Sequence, residues 1–257
     1  PDCLNRKMEW VHVAHDMRST LVDPCGEHRV VTTLLSADNV IKSQGDELQL
    51  RIRRIARIPG AGLILVNSQP HVTIIGTQYD KVIAAVGDLG MPVIEVPSRS
   101  LSGDWLGGYA DTLEAIAARI DLPDPTKVAR HVGVVGHLMD RNEADQVANV
   151  AEIERLVAGA GGECVSVWLS GRPTSHLREI ASASTLIALP HGRKAAAALA
   201  RRTGAQVVEV DLPVGLMGSR ALVNAVARAC GTTDRAEAFW RAELRSAAPR
   251  IEWAVQR

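Results

Sequence analysis

Leu63-Ile64-Leu65-Val66-Asn67-Ser68-Gln69-Pro70 begins the stretch that decides the fold, which runs on through His71-Val72-Thr73-Ile74-Ile75-Gly76-Thr77-Gln78 to Tyr79. Four consecutive apolar residues, Leu63 to Val66, read as a strand buried on both faces, the pattern of a parallel sheet covered by helices. They end in the polar turn Asn67-Ser68-Gln69-Pro70. A second apolar piece and Gly76 follow, and a helical pattern covers residues 79–86. In an open α/β sheet the loop after a parallel strand lies at the carboxyl edge, where ligands bind. Gln69 and Pro70 therefore sit where such a fold puts its chemistry.

The rest of the composition agrees. The 257 residues suffice for one large domain or two ordinary ones. Apolar residues make up 46 % and aromatics only 3 %, with a single Phe, so the core must be built from Val, Ile, Leu and Ala. Lys+Arg and Asp+Glu are 29 each. Zero net charge gives no basic stripe for nucleic acid. No run reaches the roughly 18 apolar residues of a membrane span, and no signal peptide is visible. The four cysteines, Cys3, Cys25, Cys164 and Cys230, form no Cys-x-x-Cys pair. A cytoplasmic protein with reduced thiols is the natural reading. The chain opens at Pro1 and stops at Arg257 inside a helical pattern, as a fragment would.

Working outward, residues 10–15 and 30–35 read as strands, and 46–58 as a helix stopped by Pro59-Gly60. After the central stretch come a strand over 92–97, a Gly/Ser-rich loop over 98–108 and a helix over 110–120. Leu122-Pro123-Asp124-Pro125 forbids a continuous helix and marks a domain boundary. A second unit repeats the strand–helix pattern: strands over 131–136, 164–169, 185–189 and 206–210 alternate with helices over 143–158, 176–183, 193–203 and 219–229. The alternation predicts a parallel, right-handed, doubly wound sheet. The tail over 235–257 reads as one polar helix, with Phe239, Trp240, Leu244, Ile251 and Trp253 for docking and Pro249 as a kink. The fold class is α/β, with tandem Rossmann-like domains whose parallel sheets are flanked by helices. The first domain spans 1–125, the second 126–232, and 233–257 leads towards a missing third.

Several motifs admit plainer roles. Gly133-x-x-Gly136 lacks the full glycine spacing of a dinucleotide turn and reads as a strand end. No phosphate-binding Gly-x-x-x-x-Gly-Lys stretch and no Gly-x-Ser-x-Gly elbow occur. Asp104 and Asp111 are paired carboxylates or, more simply, helix caps. His191 and Arg193 flank Gly192 at the carboxyl edge of the second sheet and either form a pocket for an anionic ligand or belong to a solvated loop. Cys3 and Cys25 are metal-ligating thiols or, more simply, small apolar residues.

The order of segments resembles the nitrogenase component 1 family. That family includes dinitrogenase subunits, their cofactor-scaffold proteins, and the dark-operative protochlorophyllide and chlorophyllide reductases. Val11-His12-Val13-Ala14-His15 resembles its strand leading into a His-Gly-Pro-x-Gly-Cys loop. Asp38-Asn39-Val40-Ile41 with Gly45 resembles its Asp-x-Val-x-x-Gly. Asn67-Ser68-Gln69-Pro70, followed by Ile75-Gly76 and Asp80, resembles its Ser-x-Cys-Pro and Ile-Gly-Asp-Asp. Residues 103–109 resemble its Gly-rich loop ending in Gly-Tyr, and Leu212-Pro213-Val214-Gly215-Leu216 its Pro-Ile-Gly-Leu.

The resemblance implies an iron–sulfur cluster shared with a partner subunit. It also implies pairing with a paralogous nitrogenase-like subunit, and electrons from an ATP-dependent iron–sulfur reductase protein. Carried onto this chain, the cluster-loop positions are His15, Thr20, Gln69 and Pro70. Thr20 and Gln69 stand where the family has cysteines, and neither replaces a thiolate. Cys3 matches the family's first cysteine at a shorter spacing, and Cys25 lies just beyond the Thr20 loop. His191 falls near the loop where dinitrogenase subunits carry a cofactor-binding cysteine. The expected function is an oxidoreductase or cofactor-scaffold subunit with incomplete cluster ligation. The alternative is a non-redox binding module that holds a small anionic or tetrapyrrole ligand in an inter-domain cleft.

Overall fold

The computed structural model of the chain describes residues 29–31, 45–68, 78–98, 102–138 and 146–255. The strand expected over 10–15 lies outside them, as does most of the one expected over 30–35. The backbone divides into two units, one of residues 1–115 with 139–146, the other of 116–138 with 147–257.

In the first unit, helix α1 (Gly45–Ile55) buries Ile52 and turns Arg53 and Arg54 outward at its end. Strand β1 (Ile64–Asn67), helix α2 (Tyr79–Val86) and strand β2 (Val93–Val96) follow. The two strands pair in parallel, Ile64 against Val93 through Asn67 against Val96. Ile52, Ile64, Val66 and Val86 form the core. Leu65 is exposed, so β1 alternates buried and open positions instead of being covered on both faces.

Helix α3 (Trp105–Arg119) begins before its expected start. Gly107 and Gly108 fall in its opening turns, where glycine is costly. Asp104 offsets that cost: its Oδ1 accepts the Gly107 N–H at 2.7 Å, an N-cap bond. Residues 121–127 are irregular, as Pro123 and Pro125 require.

The second unit is a four-stranded parallel sheet in the order β4-β3-β5-β6. Strand β3 (Val128–Val135) leads through helix α4 (Gln146–Gly159) to β4 (Glu163–Val167). A short helix α5 (Thr174–Arg178) and a 3₁₀ turn (Glu179–Ser182) reach β5 (Ala183–Ala188). A second 3₁₀ turn (Pro190–Gly192) opens α6 (Arg193–Thr203), which leads to β6 (Gln206–Glu209). Helix α7 (Gly215–Cys230) and helix α8 (Thr233–Val255) complete it, the latter running through Pro249. Gly204 (φ 70°) and Gly231 (φ 67°) end α6 and α7 in the left-handed conformation.

The main core joins β3, β4 and β5 to α4, α7 and α8, from Val132 and Val134 through Ile153, Leu156 and Val226 to Trp240. Of the residues expected to dock the tail, Trp240 is buried and Phe239 partly so, whereas Leu244 is exposed. The Ile251 and Trp253 side chains lie outside the described residues. Gly159 leaves the space that the Phe239 ring fills, since a Cβ there would lie 2.5 Å from the ring. Arg155 seals this contact, with its guanidinium 5.4 Å from the Phe239 centroid and bound to Glu152 and Glu243. Arg202 of α6 donates to the Ala117 and Ile120 carbonyls at 2.7 and 2.6 Å, closing the end of α3.

Candidate functional site

Parallel strands send all their exits to one edge. In the first unit Asn67 and Val96 are paired, so the turn beginning Asn67-Ser68 and the one beginning Pro97-Ser98 leave side by side. Gln69 and Pro70 come next in the chain and lie outside the described residues. Cys3, His15, Thr20 and Cys25 lie outside them too.

In the second unit the edge is built where β3 and β5 part. Leu189 N–H donates to the Val135 carbonyl at 2.9 Å, and Gly192 N–H to the Leu189 carbonyl at 2.8 Å. Gly136 takes φ 95°, and its backbone meets that of Gly192 with no room for a side chain on either. A Cβ on Gly192 would lie 2.2 Å from the Val135 carbonyl oxygen. Gly133 is filled in the same way: a Cβ there would lie 2.7 Å from Ile180. Gly136 and Gly192 serve close backbone packing and Gly133 makes room for the Ile180 side chain, so the space beside these three glycines is filled by the protein itself.

His191 is half-buried in the 3₁₀ turn, and Arg193 is the first residue of α6. The Arg193 guanidinium reaches across to the end of β6, 2.9 Å from Glu209 and 3.5 Å from Asp211. An anion arriving at this turn would meet a cation already engaged by two carboxylates. Asp104 caps the helix and Asp111 is buried about two turns further along it.

Periodicity gave no hint of a second feature of this unit. A cavity of about 580 Å³ opens beside β4 and α5, lined by Asp124, Glu163, Cys164, Arg172, His176 and Glu179 among others. His176 is buried and its ring is fully engaged. The i, i+3 spacing of His176 and Glu179 on a helical stretch was the one available signal. Cys164 is half-buried, and desolvation pushes its thiol up to about 12. Burial also raises the Cys230 thiol. Neither environment favours a thiolate ligand. Among the described residues no group of three or more His, Cys, Asp or Glu could hold a metal ion, and no helix is long and apolar enough to cross a membrane.

Comparison with known proteins adds to this geometry. The family model described as nitrogenase component 1 type oxidoreductase matches residues 10–254. Two similar solved structures are "Nitrogenase Cp1 at pH 6.5", with a TM-score of 0.71, and "Nitrogenase Cp1 at pH 5", with 0.70, each 14 % identical. Both alignments cover 96 % of this chain, which spans about half of each matched chain, 48 % and 50 %. At that identity the likeness is one of fold. No curated protein sequence matches.

Proposed function

Because the chain belongs to the nitrogenase component 1 type oxidoreductase family, we propose that it is an oxidoreductase or cofactor-scaffold subunit of a cytoplasmic hetero-oligomer. Its partners would be a paralogous subunit and an ATP-dependent iron–sulfur reductase that supplies electrons. The observation that carries this reading is the ordered series of family-like segments inside the matched span, residues 10–254. Those segments also limit it. Thr20 and Gln69 replace the expected thiols, and an amide or hydroxyl does not stand in for a thiolate on an iron–sulfur cluster.

The described residues do not fit a cluster site, since they hold no metal-binding group and their two thiols are raised by burial. Ligation would rest on Cys3 and Cys25 and on thiolates of the partner subunit. A bound cluster would carry the electrons, and the protein would contribute orientation and burial. A ligand bound at this edge of the second unit would meet His191, and would meet Arg193 only by drawing it away from Glu209 and Asp211.

The test is anaerobic co-expression with the candidate partner, followed by iron analysis and visible spectroscopy of the purified complex. Iron with charge-transfer absorption is expected. Cys25→Ser should abolish it, whereas Cys164→Ser and Cys230→Ser should leave it. A complex free of iron and of that absorption would refute the redox reading and leave the non-redox binding module. Equal iron in all three variants would remove Cys25 as a ligand.

A further inference from the structure

Strand β4 lies at an edge of its sheet. Trp168 N–H donates inward to the Val134 carbonyl at 2.9 Å. Among the described residues no strand receives the preceding amide, Val167 N–H, and the imidazole of His176 takes that place. Val167 N–H donates to His176 Nε2 at 3.2 Å, and the Arg172 guanidinium lies 3.2 Å from the same nitrogen. Both partners are donors only, so Nε2 carries the lone pair and Nδ1 the proton. Nδ1 then donates to Glu179 Oε2 at 2.7 Å. Two further bonds fasten the same turn. Ser166 Oγ donates to the His176 carbonyl at 2.8 Å, and the Trp168 indole to the Leu177 carbonyl at 3.1 Å. Beneath them Trp168 is fully buried.

A proton on Nε2 turns an acceptor into a donor that faces two donors, one of them a guanidinium held at 2.6 Å by Glu154 of α4. Flipping the ring gives no relief, because both nitrogens of the charged ring donate and Glu179 can serve only one side. We propose that His176 is a proton-operated latch: neutral, it fastens α5 over the edge of β4, and protonated, it releases α5 and opens the adjoining cavity. Glu179, on the following turn, favours the charged ring, and Arg172, on the preceding loop, opposes it. Glu154 of α4 neutralises Arg172 in part, and the Cys164 thiol of β4 stays protonated. Glu163 and Arg178 line the same cavity, with Arg178 paired to Asp121. The latch is independent of the redox reading, since it uses no cluster residue.

The test is nuclear magnetic resonance of the whole chain labelled with ¹⁵N in His, Val and Trp, titrated from about pH 8 to about pH 5, the range in which imidazoles change charge. At the alkaline end the His176 ring should show its proton on Nδ1. As the ring gains its second proton, the Val167 amide and Trp168 indole signals should move on the same curve. The Trp168 indole should then exchange about tenfold faster than in His176→Gln at the same pH, the effect of one lost hydrogen bond. Comparison at equal pH cancels the intrinsic pH dependence of exchange. In His176→Gln both signals should hold still.

The latch is refuted if the ring titrates while Val167 and Trp168 stay unmoved. A ring that never titrates while the fold is intact refutes it too, and so does a His176→Gln protein that follows the wild-type curve. Should that variant fail to fold, co-titration in the wild type decides alone.

Discussion

Gly192→Ala tests the backbone lock between the exits of β3 and β5. Gly192 has φ −97° and ψ −5°, in the bridge region that L-residues occupy in turns, so alanine pays little conformational penalty there. The penalty is steric. The new methyl would lie 2.2 Å from the Val135 carbonyl oxygen, 2.4 Å from its carbon and 2.6 Å from the Gly136 nitrogen, where ordinary contact begins at 3.4 Å. All three atoms are backbone, so no rotamer change relieves the overlap. The crowded oxygen is also the acceptor for Leu189 N–H at 2.9 Å. Parting the two loops enough to admit the methyl would break that bond as well. Overpacking of about 2 kcal/mol and a lost hydrogen bond of about 1 kcal/mol together predict a loss of about 3 kcal/mol. That is a large share of the roughly 5–15 kcal/mol that holds a domain folded. Urea unfolding followed by far-ultraviolet circular dichroism measures it. Gly231→Ala is the control, because Gly231 has φ 67° with nothing within 4 Å and isolates a conformational cost of about 1 kcal/mol. If Gly192→Ala loses less than the control, the steric lock is refuted.

Gly108→Ala should have the opposite sign. The position is helical with no described atom within 4 Å, so a gain of about 0.5–1 kcal/mol is expected in the same urea assay. Arg155→Ala should cost about 1 kcal/mol, a modest figure because the side chain is 45 % exposed. Arg155 holds the Glu243 carboxyl below its ordinary 4.5. Glu243 therefore adds stability above that pH and loses it as acid protonates the folded form, so the gap between wild type and Arg155→Ala should narrow in urea titrations below about pH 4. Cys164, pushed up to about 12 by burial, should react with a disulfide reagent at about pH 8 only on unfolding; mass spectrometry of the native labelled chain checks this.

Much of the second unit was legible in sequence because its signals are local. Short apolar runs with turn residues between them place strands, and Gly204 and Gly231 mark helix ends by the same backbone preference wherever they occur. Errors came where side-chain chemistry outranks composition. Residues 103–109 look like a glycine loop, yet the single cap at Asp104 lets the helix start before Gly107. Leu63 to Val66 looks covered on both faces, yet Leu65 is open, because apolar character records what a residue tolerates and not what lies over it.

Other features depend on which surfaces meet, and no spacing rule encodes that. Arg193 could be read as a cation for an incoming anion until β6 brought Glu209 and Asp211 beside it. Gly133 and Gly136 read as a strand end from their spacing, but only the structure shows that Ile180 and Gly192 fill the space their missing side chains leave. His176 carried only its i, i+3 spacing to Glu179, and it matters because β4 lies at an edge among the described residues, with a last amide that needs an acceptor. Apolar periodicity and turn chemistry act over a few residues and survive in one dimension. Charge pairing, close backbone approach and the satisfaction of an edge-strand donor join residues far apart in the chain, and they exist only once strand order has set the neighbours.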